Sequence, residues 1–444
     1  MSKKKKNKKR NPQRTAPNAN SQKSSGTPKL SLCMIVKDEE KNIEKALGWA
    51  KDVTFEQIVV DTGSKDRTVE LAEKMGAKVF HFEWIDDFSA AKNYAIEQAS
   101  GNWIVFFDAD EYFLDPDAKR LAERISQIEK QKSTYPHCLA VGCTLINLDD
   151  KGAQNSQLIK VCAFRNRPDI RYKGRIHEML DISDKALVHL PDTIAYHTGY
   201  TESASLEKQK SERNVRLLRK ELELNPHDMN IKAYIADALT SRTDEESQNE
   251  AAALYEEVLE SGKKTFNKLR VKAYLYFIRK YMTDKNTHEK AVETCKIALK
   301  EFPETVDFYY YLGHVISDLG DYKAAWEVLK TCETKLNNPS PHDESIFLPA
   351  SPIRLYGRLM MLANALSDFE SVFMYSTIIL TIDNKKHEVL TACIKTLVKQ
   401  GITEQEIIPL LKDLYDLNNP TDVEFIKNTA KTAGATKLVE ILAS

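Results

Sequence analysis

No run in the 444-residue sequence approaches the roughly 18 consecutive apolar residues that a membrane helix needs. The longest candidate, Trp103 to Phe107, is far too short. The basic opening MSKKKKNKKRNPQR is not followed by an apolar stretch, so it does not read as a secretory signal. The seven cysteines are scattered singly, with no CxxC and no even framework. Such spacing reads as reduced thiols and, with the two other absences, leads us to expect a cytoplasmic protein.

What is present is ordinary for a soluble globular chain: 42% apolar residues and 29% charged. The length is too great for one compact core, so two or three domains are expected. A net charge of −1 hides an uneven placement, since the first residues are almost entirely basic and the remainder is mildly acidic. Residues 1 to about 28 have almost nothing to bury and are expected to be disordered. A solvated tail is the favoured reading there. A tether to anionic lipid headgroups is the weaker alternative, and no nucleic-acid partner is expected, because a basic run alone specifies none.

From Leu30 the pattern changes. Leu32 to Val36, Gln57 to Val60 and Trp103 to Phe107 are short, continuous apolar runs, and Lys78 to Phe82 reads as a further strand. Between them, Glu39 to Ala50, Thr68 to Met75 and Ser89 to Ala99 read as helices. Apolar strands alternating with helices predict an α/β domain with a mainly parallel sheet, over residues 29–205. In such sheets ligands bind at the carboxyl ends of the strands, where Asp61 and Asp108 both stand.

After about residue 205 the strand signals vanish, and residues 206–444 are expected to be all-α. Tyr309, Leu312, Gly313, Gly320, Tyr322, Ala325 and Leu329 fall at the spacing of one 34-residue tetratricopeptide unit. Ala291, Ala298 and Pro303 match the unit before it, and Arg213 to Pro226 and Ala251 to Glu260 resemble degenerate second helices. Beyond Pro352 helices continue without a fitted repeat. Such units stack around a concave groove.

Asp108-Ala109-Asp110 places two carboxylates just past a buried strand, where they can converge on a hard cation such as Mg²⁺ or Mn²⁺. Asp61 opens Asp-Thr-Gly-Ser-Lys-Asp-Arg-Thr68, in which Gly63 allows a tight turn while Ser64 and Asp66 suit a helix cap. An acid at the buried end of an apolar strand needs a partner, which a nucleotide base or ribose would supply.

The segments CMIVKDEEKNIEKAL, IVVDTGSKDRTVELA and DDFSAAKNYAIEQASGNWIVFFDADEYF resemble family 2 of the inverting, GT-A-fold glycosyltransferases. Within that family the chain resembles bacterial members fused to tetratricopeptide repeats, including the peptide S-glycosyltransferases that modify bacteriocins. The likeness covers about residues 30 to 200. It implies that Asp61 reads the base and that Asp108 and Asp110 meet donor ribose and metal. It also implies that Glu39 and Ser64 lie near the nucleotide and that Lys92 balances diphosphate charge. The second acid usual beside Asp61 is Thr62 here. Phe164-Arg165, Gly174-Arg-Ile-His177-Glu178 and Ala195-Tyr-His197-Thr-Gly-Tyr200 resemble the family's later segments. On that basis Arg165 is expected at the diphosphate, His197 on the metal (with His177 a weaker candidate), and Glu178 as the base that an inverting transfer requires.

The expected function is transfer of a sugar from a nucleotide-diphosphate sugar, a UDP-sugar first, with Mn²⁺ or Mg²⁺. The expected acceptor is a peptide or protein side chain held with help from the repeats, which are also a route to homo-oligomers. Lipid-linked and polysaccharide acceptors stay open, as does a non-catalytic repeat scaffold with a vestigial transferase domain. A nucleotidyltransferase would carry a Gly-rich, basic loop after its first strand; here that loop is Lys37-Asp-Glu-Glu40.

Overall fold

A computed structural model describes residues 27–131, 133–149, 152–198, 204–262 and 264–443. The basic tail up to residue 26, and Gly199 and Tyr200 of the closing His motif, lie outside the described residues.

The first half is an α/β sheet in which every apolar run of the sequence becomes a strand. β1 (Leu30–Val36), β2 (Glu56–Asp61), β3 (Lys78–His81) and β4 (Trp103–Phe106) lie side by side in parallel. β5 (Glu111–Phe113), β6 (Ala140–Leu148), β7 (Gln154–Arg165) and β10 (Leu187–His197) extend the sheet, giving the order β3-β2-β1-β4-β7-β6-β10-β5. β7 and β5 run against their neighbours and the other strands share one direction. β8 (Tyr172–Lys173) and β9 (Met179–Leu180) form a small separate hairpin. β1 and β4 are apolar on both faces because helices cover the sheet, as a central parallel strand requires.

α1 (Ile43–Gly48), α2 (Thr68–Lys74), α3 (Phe88–Gln98) and α4 (Asp115–Lys130) supply that cover. Asp87 caps α3 by accepting the Ala90 amide at 2.9 Å. The buried face of α3 carries Ala91, Ala95 and Ile96, and also Lys92, a cation among core positions.

Strands end at His197 and helices follow from α5 (Ala204–Leu224) onward. α6 (Met229–Thr240) packs with α7 (Glu245–Glu260), α8 (Asn267–Met282) with α9 (His288–Glu301), α10 (Val306–Asp318) with α11 (Tyr322–Asn337), and α12 (Ile353–Ala365) with α13 (Phe369–Ile382). The unit read at Tyr309 to Leu329 is the third of these pairs, and the region beyond Pro352 contains a fourth. A Cβ on Gly313 would stand 2.5 Å from Leu329 Cγ, so this glycine lets α10 and α11 close on each other. Gly320, at φ +91°, makes the turn between them.

All seven cysteines are free and buried. No helix of the described residues is long and apolar enough to cross a membrane.

Candidate active site

Parallel register brings the acids together. Val36 pairs with Asp61 and Cys33 with Phe106, so the loops after β1, β2 and β4 open at the same edge of the sheet. There a cavity of about 510 Å³ is lined by residues including Lys37, Glu39, Thr62, Lys92, Asp108, Asp110, His177, Glu178 and His197.

Its floor is a row of alternating charges. Lys92 Nζ lies 2.6 Å from Glu178 Oε1 and 3.4 Å from Asp108 Oδ1. On the other side of Asp108, Lys160 Nζ is 3.7 Å from Oδ2 and also pairs with Glu111. Burial works against charge on Lys92, yet Asp108 and Glu178 outweigh it and raise its pKa above the ordinary lysine value. Lys160 is raised in the same way, with burial overcome by Glu111 and Asp108. Desolvation opposes ionisation of Asp108, but the two lysines hold its carboxyl well below the usual range.

Asp110 takes a different partner. Its Oδ2 lies 3.1 Å from His197 Nε2, and His197 Nδ1 lies 2.8 Å from the Asn147 carbonyl oxygen. Asn147 Nδ2 donates to Ser156 Oγ at 2.8 Å, and in this arrangement Asn147 Oδ1 is the acceptor for the His197 tautomer that carries its proton on Nδ1. Burial disfavours the imidazolium, but Asp110 more than offsets it and raises the His197 pKa. An imidazole whose second nitrogen is held by a carbonyl is the arrangement that presents Nε2 to a metal. The donor set therefore fits a divalent ion at Asp110 and His197. Among the described residues no group of three or more His, Cys, Asp or Glu is gathered to hold an ion alone. Asp108, expected as a further ligand, is engaged by two ammonium groups instead.

The remaining expected residues are placed as follows. Glu39 lines the cavity; its amide donates to Thr68 Oγ1 and its carboxylate accepts from Asn42. Asp61 is 5% exposed, and its oxygens accept the Gly63 and Ser64 amides at 3.1 and 3.0 Å. Burial opposes its ionisation, but these bonds, with His81 at 3.4 Å, lower its pKa. The partner sought for this acid is thus its own turn, and Thr62 rather than Asp61 lines the cavity. Ser64 Oγ accepts the Asp38 amide at 2.9 Å and ties the first two loops together; it does not cap α2.

Arg165 is not brought to the site. It pairs with Trp103 in the register of β7 on β4, at the opposite end of the strand from Asp108. There it bonds Glu129 and the Cys138 carbonyl, with its guanidinium 4.9 Å from the Trp103 ring centre. His177, at φ +52°, stacks on Tyr234 of α6 with ring centres 4.0 Å apart, and burial lowers its pKa.

Several residues at the site were not anticipated. Lys160 is a lone cation inside the apolar run Gln157-Leu-Ile-Lys-Val-Cys-Ala-Phe164, which is the one sequence signal that marks it. Glu111 and Asn147 carried no such mark. Trp84, Phe88, Arg213 and Asn214 complete the cavity wall, the last two supplied by α5 of the helical region.

Residues 31–134 match the model of glycosyl transferase family 2. A TPR repeat-containing protein of Synechococcus elongatus is 31% identical over 320 residues, covering 68% of this chain and 74% of that protein. The SPbeta prophage-derived glycosyltransferase SunS of Bacillus subtilis is 24% identical over 296 residues, covering 66% and 68%. Among solved structures, S. aureus TarS 1-349 overlaps at 17% identity with a TM-score of 0.35, covering 56% of this chain and 86% of that one. With Asp108 and Asp110 at one cavity of a mainly parallel sheet and helical pairs following it, the chain belongs to glycosyl transferase family 2.

Proposed function

We propose that this glycosyltransferase moves a sugar from a UDP-sugar, with inversion, to a side chain of a peptide or protein acceptor, assisted by Mn²⁺ or Mg²⁺. The observation that carries the reading is Lys92, which joins Glu178 and Asp108 in one cavity at the carboxyl ends of the strands.

Asp110 and His197 would hold the cation, whose chemistry is to neutralise charge that develops on the departing diphosphate. The nucleotide lies toward Glu39, Thr62 and the turn shaped by Asp61 and Ser64, and the glycosyl group toward Lys92 and Glu178. Lys92 adds fixed positive charge at the bond being broken. Glu178 takes the proton from the acceptor as its nucleophile attacks the anomeric carbon. Intact acids and cations in a continuous network favour this over a scaffold with a vestigial site. A macromolecular acceptor is favoured because α5, the first helix of the helical region, forms part of the cavity wall.

A panel of nucleotide sugars tests the reading, scored for nucleotide release and donor-induced thermal stabilisation with Mn²⁺ and after chelation. Release and stabilisation by at least one UDP-sugar, restored by Mn²⁺, is the expected result. The absence of both with every UDP-sugar overturns the donor assignment.

A further inference from the structure

The helical region reaches into the cavity at one place, and that place is unusually well fixed. Along α5, Arg213, Arg216 and Lys220 recur at three- and four-residue spacing and so share one face of the helix. Arg216 lies 3.1 Å from one oxygen of Asp86, and Lys220 lies 2.5 Å from the other. Asp86 also accepts the Trp84 indole N–H at 3.0 Å and holds φ at +61°. A conformation uncommon for a residue with a side chain is thus kept by three partners, two of them from the helical region. A second bond crosses nearby, where Arg175 Nε lies 3.6 Å from Glu221.

This clamp positions the residues that face the cavity. Trp84 and Phe88 pack edge to face with ring centres 4.8 Å apart. The Arg213 guanidinium lies over the Phe88 ring at 5.2 Å. Arg213 Nε and Nη2 both donate to Asn214 Oδ1, at 3.2 and 3.0 Å. A guanidinium only donates, so the Asn214 oxygen must face it, and the Nδ2 amide remains a donor at the cavity wall. Aromatic rings beside a guanidinium and an amide form a surface that can cover an apolar ring face and bond the hydroxyls around its edge. The nucleotide and metal residues, Glu39, Thr62, Asp110 and His197, belong to other loops around the same cavity.

We propose that Arg213 and Asn214, contributed by the helical region, are specificity-determining residues that recognise hydroxyls of the donor's glycosyl group. The inference rests on the reading of this cavity as the donor site. A site built to bond a hydroxyl rejects the analogue that lacks it or misplaces it, because the site's polar groups are then left unpaired. Sugar choice in this chain is therefore set partly from outside the transferase sheet.

The test uses the full chain and isothermal calorimetry with UDP, UDP-glucose, UDP-galactose and UDP-N-acetylglucosamine, all with Mn²⁺. Arg213→Ala and Asn214→Asp are the informative variants. The second is isosteric and keeps an acceptor for Arg213 while a carboxylate oxygen, with its negative charge, replaces the amide donor, so its fold should be preserved. Arg219→Ala, on the same helix as Arg213 but paired outward with Glu250 of α7, is the control. Each variant should reduce the preference for the best sugar nucleotide over UDP by about tenfold, with UDP affinity held within about twofold. The control should leave that preference unchanged. An unchanged preference in both variants overturns the proposal while leaving the donor site standing. A parallel fall in UDP affinity also overturns it, by moving the two residues to the nucleotide. If the wild-type chain binds none of the four ligands, the donor reading fails and takes the proposal with it.

Discussion

Lys92 stands 2.6 Å from Glu178, so the proposed base is one end of a row of opposite charges that runs on through Asp108 and Lys160 to Glu111. Glu178→Gln keeps the shape beside Lys92 and removes the proton acceptor. Donor affinity should stay near normal, while transfer to a hydroxyl acceptor should fall by roughly 10² to 10⁴-fold. A thiol acceptor, with a free pKa of about 8.5, should recover rate as pH rises toward about 9. Wild-type transfer to a hydroxyl by this variant would remove Glu178 from the role and turn attention to Asp87 or His177.

The pairing of Asp110 with His197, and of His197 with Asn147, gives a graded prediction for the metal. Asp110→Asn should abolish metal-dependent release of UDP with the fold intact. Asn147→Ala, which frees the imidazole and also removes the bond to Ser156, should raise the Mn²⁺ concentration for half-maximal rate by about 10- to 100-fold. Normal turnover by Asp110→Asn at limiting Mn²⁺ would place the ion elsewhere.

The strand-end acids were legible because a continuous apolar run followed by Asp is a local signal, and parallel pairing does the rest. Asp61 shows the limit of that logic: the sequence marks a buried acid but does not say that the amides of Gly63 and Ser64 satisfy it. Arg165 was misplaced because its position depends on the antiparallel register of β7 against β4, a pairing between segments about 60 residues apart that no local pattern encodes. Lys160 reaches Asp108 through that same non-local pairing. The wall formed by Arg213 and Asn214, like the stack of His177 on Tyr234, was hidden for a further reason, since both exist only where the helical region meets the sheet.

At the other end of the sheet, Glu56 is 8% exposed and accepts from Ser31, Ser100 and Lys78. Burial opposes its charge, but these bonds draw its pKa down to about 2. The folded value lies below the unfolded one, so the ionised group stabilises the fold fully above about pH 4.5. That contribution is lost as pH falls through about 2. Glu56→Gln should therefore destabilise the chain by about 2–3 kcal/mol near neutrality and by much less in acid. Urea unfolding at pH 7 and pH 3 measures the difference; equal losses at both would separate Glu56 from the pH dependence.

Gly313 offers a test of packing between the repeat helices. Alanine gains about 1 kcal/mol of helix propensity but brings a methyl group within 2.5 Å of Leu329, an overpacking worth about 1–3 kcal/mol. The net expectation for Gly313→Ala is a loss of up to about 2 kcal/mol, read from the denaturation midpoint. A gain in stability would mean that Leu329 turns aside freely.

The clamp on Asp86 bears on how such a chain can be recombined. A joint cut just after His197 follows the visible change from strands to helices, but it strips Asp86 of Arg216 and Lys220 and leaves the Trp84–Phe88 segment without its outer support. A joint between Leu224 and Met229 keeps that support, although it gives up the stack of His177 on Tyr234, the Arg219–Glu250 pair and the packing of Val215 and Leu218 against α6. The interchangeable cassette is therefore the sheet together with its first helix, and a graft onto a foreign repeat array has to carry α5 with it.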